Sequence, residues 1–569
     1  MTQEGTKPND QANFEGYLSH NDQSFENKFI DILKNADFNS HPSPLLRNNL
    51  SEPKVIEVIA YLKLLKAFKV LKNRVLAGSR DENGYNEATS LKTWQVYLTN
   101  SVRRFIIFIN SLYSKIKEEP NVNLRYTKFY SLMDALIPPL DVILIWNSVI
   151  LNNSFFNDVM KRNNFTEFLS YPFPWSTINE SIHNYSFEFL PNSTLKQNYT
   201  KLINGGRYEL DSFHLDFVSF DQVVNIYCPN CCCLLVENVE LSNNMNTGFA
   251  DNGFETNINP SNSECICSDL TEINHNDLRK LQLIKDCFDS KPLMGFLEFD
   301  LDDSLNMNAL KEALKTYTLN NPAYTMINVY RNAFENIQNP ISQTIFAKNY
   351  VFSNLIHCTI PKLELQIPED LVASTIRQEQ FMNDMSKISL LHDANIVEII
   401  KDARVRYTNF ISLENQFRDI LLYPTLEIDL ILKTSQLSRP DAMKSFYQKT
   451  NLVFIQEDDL EVSFMEMLTK YSKNYEDYET TYGCRQCQSR KKGHRKSVYN
   501  IWKNKFGSSR RRSSGDGSIT LTHPSLNYCW FSSNNSPIEY NDMFIKKQMM
   551  YSGVYVNSPF ISPVNIINA

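Results

Sequence analysis

Four thiols fall into two close pairs, Cys228-x-x-Cys231 and, about 33 residues on, Cys265-x-Cys267. Thiolates paired on tight turns are how tetrahedral structural zinc is held, so this spacing predicts a zinc-binding segment. The intervening loop, NNMNTGFADNGFETNINPSNS, is polar and rich in turn residues. Two features complicate the ligand set. The second pair is tighter than the usual knuckle, and Cys232 and Cys233 offer competing sulfurs, with His275 as a spare nitrogen. The alternative is a group of reduced cysteines buried as small hydrophobes. Zinc here would fold the segment and leave no open coordination position for catalysis. Farther on, Cys484-x-x-Cys487 has His494 nearby but no fourth ligand in range, and no βαβ context for a thioredoxin-like role.

Cations mark a second segment. From Arg485 to Arg512 there are 11 Lys/Arg and no Asp/Glu, with Tyr499, Trp502 and Phe506 interleaved. Arg490, Lys491, Lys492, Arg495, Lys496, Arg510, Arg511 and Arg512 could track phosphates while the aromatics stack on bases, which makes RNA a candidate partner. A solvated tail or a nuclear-import signal reads the same residues as well. SRRRSSGDGS resembles a basophilic kinase site, with Ser513 or Ser514 as acceptor, and a phosphate there would offset part of the charge. The carboxylates of Phe296–Asn306 lack calcium-loop spacing, and helix capping is their simpler use. The sequence has no phosphate-binding Gly-Lys loop, no His-Glu-x-x-His and no Gly-x-Ser-x-Gly.

The elements that position these groups are mostly helical. A chain of 569 residues is too long for one core, and its 42% hydrophobic and 12% aromatic content argues that most of it folds. A net charge of -7 gives no global bias toward nucleic acid or anionic membrane. The N-terminus has no basic n-region or apolar h-region, and the run Val142 to Leu151 is broken by Asn147 and Ser148. A cytoplasmic chain is therefore expected, or a nuclear one, with reduced cysteines and no membrane partner. Residues 1–50 read as a loose Asn-rich tail, 51–224 as a helical module and 225–290 as a cysteine-bearing, zinc-ribbon-like insert with short strands. A helical connector (291–365), a second helical module (366–488) and a basic flexible tail with a C-terminal segment (489–569) follow. The clearest helix is Pro53–Leu76, with Ile56, Ile59, Leu62, Leu65, Phe68 and Leu71 at near-helical spacing. The fold class is thus mainly α: two related helical modules with a small strand-containing insert between them.

The relation between the modules rests on a repeat. PPLDVILIWNSVILNN from Pro138 and YPTLEIDLILKTSQLS from Tyr423 both place a proline before Leu-acid-aliphatic. Upstream stand Arg104, Phe105, Phe108 and Ile109 in one copy, and Arg406, Tyr407, Phe410 and Ile411 in the other. The first copy carries an insertion around KIKEEPNVNLRY. Coincidence aside, this is one structural unit used twice. The helices after Pro139 and Thr425 are apolar on nearly every side, so Trp146 and Leu432, with Arg104 and Arg406, are read as core.

With DLVASTIRQEQFMNDM, DARVRYTNFISL, FPWSTINESI, CPNC and YEDYETTYGCRQC, these stretches resemble the glycine-rich domain-containing protein-like family, known mainly from plants and fungi, over roughly residues 55 to 490. The resemblance implies a fungal member without the name-giving glycine-rich tail. The family pattern at both core helices is Trp-His-x-His. This chain has Trp146, Asn147 and Val149 in one copy and Leu432, Lys433 and Ser435 in the other, so histidine-borne chemistry is expected to be missing. Family association further implies a regulatory role in stress responses. Three functions follow, in descending order: a non-enzymatic interaction or scaffold protein with unknown protein partners, an RNA-associated protein, and a metal-dependent enzyme.

Overall fold

The computed structural model describes residues 53–78, 87–205, 213–215, 222–251, 253–258, 265–295, 307–323, 355–367, 369–388, 390–416 and 426–440, with isolated positions between. The Asn-rich start, Cys484 and Cys487, the basic segment with Ser513 and Ser514, and most of Phe296–Asn306 lie outside the described residues.

The described chain is mostly helical, with two small antiparallel strand pairs. Helices α1 (Val55–Gly78), α2 (Glu87–Ile116), α3 (Val122–Asp134), α4 (Leu140–Leu151), α5 (Asn153–Arg162), α6 (Thr166–Ser170), α7 (Trp175–Ser181) and α8 (Ser193–Asn204) come first. Strands β1 (Val223–Tyr227), β2 (Leu234–Glu240), β3 (Glu255–Asn257) and β4 (Glu272–Asn274) follow, then α9 (His275–Phe288) and α10 (Met307–Asn320). The second copy supplies α11 (Leu371–Ile388), α12 (Ile396–Gln416) and α13 (Leu426–Ser438).

Local chemistry sets several boundaries. Pro139 precedes α4 at φ -66°, where its missing N–H is no loss. The Asn121 side chain accepts from the N–H groups of Asn123 and Leu124 and so starts α3. The insertion in the first copy is therefore the end of α2, a turn and the first turn of α3. Asn274 and Asp277 form a capping box that opens α9 directly from β4.

The pattern of α1 predicts a single apolar face. In the structure Val58, Ala60, Tyr61 and Leu64 are buried along with Ile59 and Leu65. The first half of α1 is enclosed nearly all round because α2, α4, α7, α11, α12 and α13 all pack on it. Lys63 is enclosed too. Its Nζ donates to the carbonyl and Oδ1 of Asn179 (both 2.8 Å) and to Asn184 Oδ1 (2.7 Å), tying α1 to α7 and the loop beyond it.

Burial pulls Lys63 down from 10.5 to about 7. Between those values the unfolded chain holds a proton that the folded chain has released, so stability rises with pH across the window. Below about pH 7 both states are protonated and the cost of the buried ammonium is fully present. Urea midpoints measured from pH 6.5 to 10 should climb in wild type, and Lys63→Met should lack that component of the climb.

The helices of the two copies share one continuous core that includes Val58, Phe105, Trp146, Phe381 and Ile431. The described helices of the two copies, separate along the chain, are interlocked in space. Within each copy, α2 packs on α4 and α12 on α13. Between copies, α1 packs on α13 and α11 on α4, while α1 meets α12 and α11 meets α2. At the centre α1 contacts α11 and α4 contacts α13. These cross-copy contacts come in matched pairs, while α1 also packs on α2 and α4 of its own copy.

The ion pairs repeat as well. Arg104 Nε lies 2.8 Å from Asp141 Oδ2, joining α2 to α4. Arg406 Nη1 lies 2.5 Å from Glu427 Oε2, joining α12 to α13. Asp141 and Glu427 each follow the leucine of Pro-x-Leu-acid. Trp146 is fully buried, stacked near Phe168 and Tyr171 and tilted against Phe173 at 4.8 Å. Leu432 packs on the same core but is only half-buried, on the stripe of α13 that it shares with Asp429 and Lys433. Behind the first copy, Phe173 N–H donates to the Leu437 carbonyl (3.0 Å) and Trp175 Nε1 to Ser438 Oγ (2.9 Å), which fastens α7 to the end of α13.

Candidate metal centre

The four thiols stand at the tips of two hairpins. β1 pairs with β2 from Val223↔Glu240 to Tyr227↔Leu234, and Cys228 to Cys233 make the connection. β3 pairs with β4 from Glu255↔Asn274 to Asn257↔Glu272. The β3–β4 connection carries Cys265 and Cys267 at the start of a short 3-10 turn, Ile266–Asp269.

At the first tip the Cys228 N–H donates to the Cys233 carbonyl (2.8 Å) and the Cys232 N–H to the Cys228 carbonyl (2.9 Å). Cys232 adopts φ 61°, a left-handed conformation uncommon for a residue with a side chain. The tight turn brings the sulfurs on one side together. Cys228 Sγ lies 3.9 Å from Cys265 Sγ, and Cys231 Sγ 3.7 Å from Cys267 Sγ. All four sulfurs lie within 4.8 Å of one another. A Zn–S bond of about 2.3 Å sets a tetrahedron edge of about 3.8 Å, so the thiols stand at ligand separation. Four sulfurs and no oxygen suit a thiophilic ion.

Cys228, Cys265 and Cys267 are buried and Cys231 is half-buried. Burial pushes Cys228 and Cys267 far above the ordinary thiol range. Cys231 comes down to about 7: burial raises it, but hydrogen bonds from the Cys233 backbone and from neighbouring thiols outweigh that. The Asn230 amide donates to Cys265 Sγ (3.4 Å), a contact from outside the sulfur group.

The competing ligands separate in space. Cys232 takes no part in the group of four. Cys233 also stands outside it, yet its Sγ is 3.2 Å from Cys231 and 3.6 Å from Cys267. His275 does not serve as the spare ligand. Its ring packs against Phe249 (5.3 Å) and Phe254 (5.1 Å), and burial lowers it to about 3.

A strap, residues 355–367, fixes the ribbon to the bundle. The Asn110 side chain of α2 pairs with the Leu365 backbone in both directions, each bond 2.9 Å. The Gln366 amide donates to the Pro229 carbonyl inside the first thiol turn (3.4 Å). Gln282 of α9 donates to Gln366 (3.0 Å), and its Oε1 lies 3.0 Å from His357 Nε2.

The core-helix positions take up packing roles. The Asn147 amide donates to Gln378 Oε1 on α11 (3.3 Å), and Val149 is fully buried. Lys433 pairs with Asp429 (3.1 Å) and lies over the Phe381 ring at 5.0 Å, and Ser435 is buried. The structure therefore brings Cys228, Cys231, Cys265 and Cys267 together and sets the core-helix side chains apart from them.

Residues 330–441 match the glycine-rich domain-containing protein-like family, GRDP-like. No curated protein and no solved structure matches the chain. The GRDP-like segment takes in the strap and α11, α12 and α13, the whole described second copy. It thus supplies Arg406 and Glu427, the counterparts of Arg104 and Asp141. The acidic members of these pairs were missed by sequence reasoning, although the Leu-acid step common to both stretches was the signal for them. Among the described residues, no helix is long and apolar enough to cross a membrane.

Proposed function

We propose that this chain is a non-enzymatic, cytoplasmic interaction or scaffold protein whose ribbon is closed by one structural zinc on Cys228, Cys231, Cys265 and Cys267. The observation that carries the reading is the convergence of four sulfurs at tetrahedral edge distances. A four-thiolate ion has no position left for substrate, so it acts as a fold-closing link. The core helices support the same view. Where the family pattern sets histidines, this chain has Asn147, Val149, Lys433 and Ser435, engaged in helix packing.

The test has two arms. Metal analysis of purified full chain should give about one zinc per chain. Isolation from cells under mild conditions should give a stoichiometric protein complex that Cys228→Ser/Cys231→Ser disrupts. A lone, metal-free monomer that converts a small molecule would overturn the reading. The cation-rich stretch between Arg485 and Arg512 favours RNA as a second reading. Binding of a labelled single strand should then vanish on deleting residues 485–515 and weaken steeply with salt. Unchanged binding in the deletion removes this reading.

A further inference from the structure

We propose that Cys233 is an oxidative modification site: on meeting a hydroperoxide it forms a disulfide with Cys231 and thereby opens the metal centre. The consequence for the metal rests on the zinc reading above. The pairing itself rests on the thiol geometry alone.

Among the sulfur separations at the ribbon tips, the 3.2 Å between Cys231 and Cys233 is the shortest, against 3.6, 3.7 and 3.9 Å for the others. Cys233 is the fifth sulfur of a cluster in which four would complete the ligand set of a tetrahedral ion. It is a surplus thiol held next to a ligand. The left-handed turn at Cys232 folds the three-residue run so that its flanking sulfurs converge. The bond from the Cys228 N–H to the Cys233 carbonyl holds Cys233 in that place. Access discriminates in the same direction. Cys231 and Cys233 are half-buried, whereas Cys228, Cys265 and Cys267 are buried, so a small oxidant arriving from solvent meets this pair first.

The chemistry balances with hydrogen peroxide as oxidant. The Cys231 thiolate attacks one peroxide oxygen, the O–O bond breaks, and hydroxide departs, giving a sulfenic acid on Cys231. The Cys233 sulfur then attacks the Cys231 sulfur, the S–S bond forms, and the sulfenic oxygen leaves with the Cys233 thiol proton as water. Overall one thiol, one thiolate and one hydrogen peroxide become a disulfide, a water and a hydroxide. The two sulfurs supply the two electrons. Cys231 is then lost as a ligand, and three sulfurs remain. A thiol reductant of the glutathione class reverses the step by exchange.

The experiment uses the full chain loaded with zinc and exposed to hydrogen peroxide. Zinc release is followed with a colorimetric chelator, and disulfides are mapped by non-reducing peptide mass spectrometry in a Cys232→Ser background, which leaves the pair unambiguous. Release coupled to a Cys231–Cys233 disulfide, with Cys233→Ser retaining one zinc and releasing it at least tenfold more slowly, supports the proposal. Equal release rates, or a disulfide to another cysteine, overturn it. Loss of zinc from unoxidised Cys233→Ser would make Cys233 a ligand and overturns it too. If the wild-type chain binds no zinc, the zinc reading fails with the metal consequence, and the mass map alone decides the pairing.

Discussion

Replacing Cys228 and Cys231 together by serine will abolish metal binding and unfold the ribbon while the helical bundle stays folded. The reason is the size of the ribbon's own resources. β3 and β4 are three residues each and β1 is five, and two-stranded hairpins of that kind are marginal alone in water. Structural zinc in small domains contributes about 10–16 kcal/mol of apparent binding free energy at neutral pH, most of which is folding free energy. Without the sulfur link the hairpins keep Ile226, Leu235 and Ile273 among their buried apolar anchors, the amide bond from Gln366, and the ties of Lys92 on α2 to Asn246 and Asp251 in the β2–β3 loop. The helices supply most of one continuous core, to which Cys228, Cys265 and Cys267 also belong, so the bundle keeps most of its burial without the thiols. Metal analysis should fall from about one zinc per chain to none. Limited proteolysis should open new cleavage sites between residues 228 and 267, with far-UV helical signal nearly unchanged. Retained zinc in the double variant, or collapse of the helical signal, would contradict this account.

Asp141→Ala will cost about 3–5 kcal/mol of stability, as removal of one partner from a buried pair does. The Arg104 side chain is 7% exposed and the Asp141 side chain 3% exposed, so water cannot replace the lost carboxylate. Burial pushes the Asp141 carboxyl above its ordinary range, and Arg104 pulls it back. The guanidinium does not escape by losing its proton. The pair is therefore a matching device between α2 and α4 more than a net source of stability. Arg104→Met/Asp141→Leu should recover most of the loss, since apolar groups of similar size often replace such a pair at little cost. Urea unfolding of both variants against wild type checks this, and a double variant as unstable as the single one would refute it.

The element types and the thiol site were largely legible in the sequence. Hydrophobic periodicity marked α1, and the shift to β-branched residues beside cysteines marked the hairpins, because both signals are local. The spacing of Cys228-x-x-Cys231 and Cys265-x-Cys267 pointed to the gathering of four sulfurs that the structure contains. What spacing could not reveal was partnership across the chain. The enclosure of α1 depends on α11, α12 and α13, far away in sequence, so the first half of a helix read as amphipathic is buried nearly all round. The rank of Cys233 depended on a left-handed turn at Cys232 that no propensity forecasts for cysteine. His275 failed as a ligand because two phenylalanines, not the sulfurs, surround it.

The packing of α1 against α11 and α13 has a consequence for synthesis. The contact from Ser438 to Glu57 spans 381 positions. At about 5–20 residues per second, a nascent chain waits roughly 20–75 s between making one end of that contact and the other. For most of that interval the apolar girdle of α1 has left the ribosome without α11 or α13 to cover it. A chaperone that shields newly made apolar helices would find its longest-lived client surface there, and truncated translation products ending before residue 371 should aggregate rather than fold as a free-standing half.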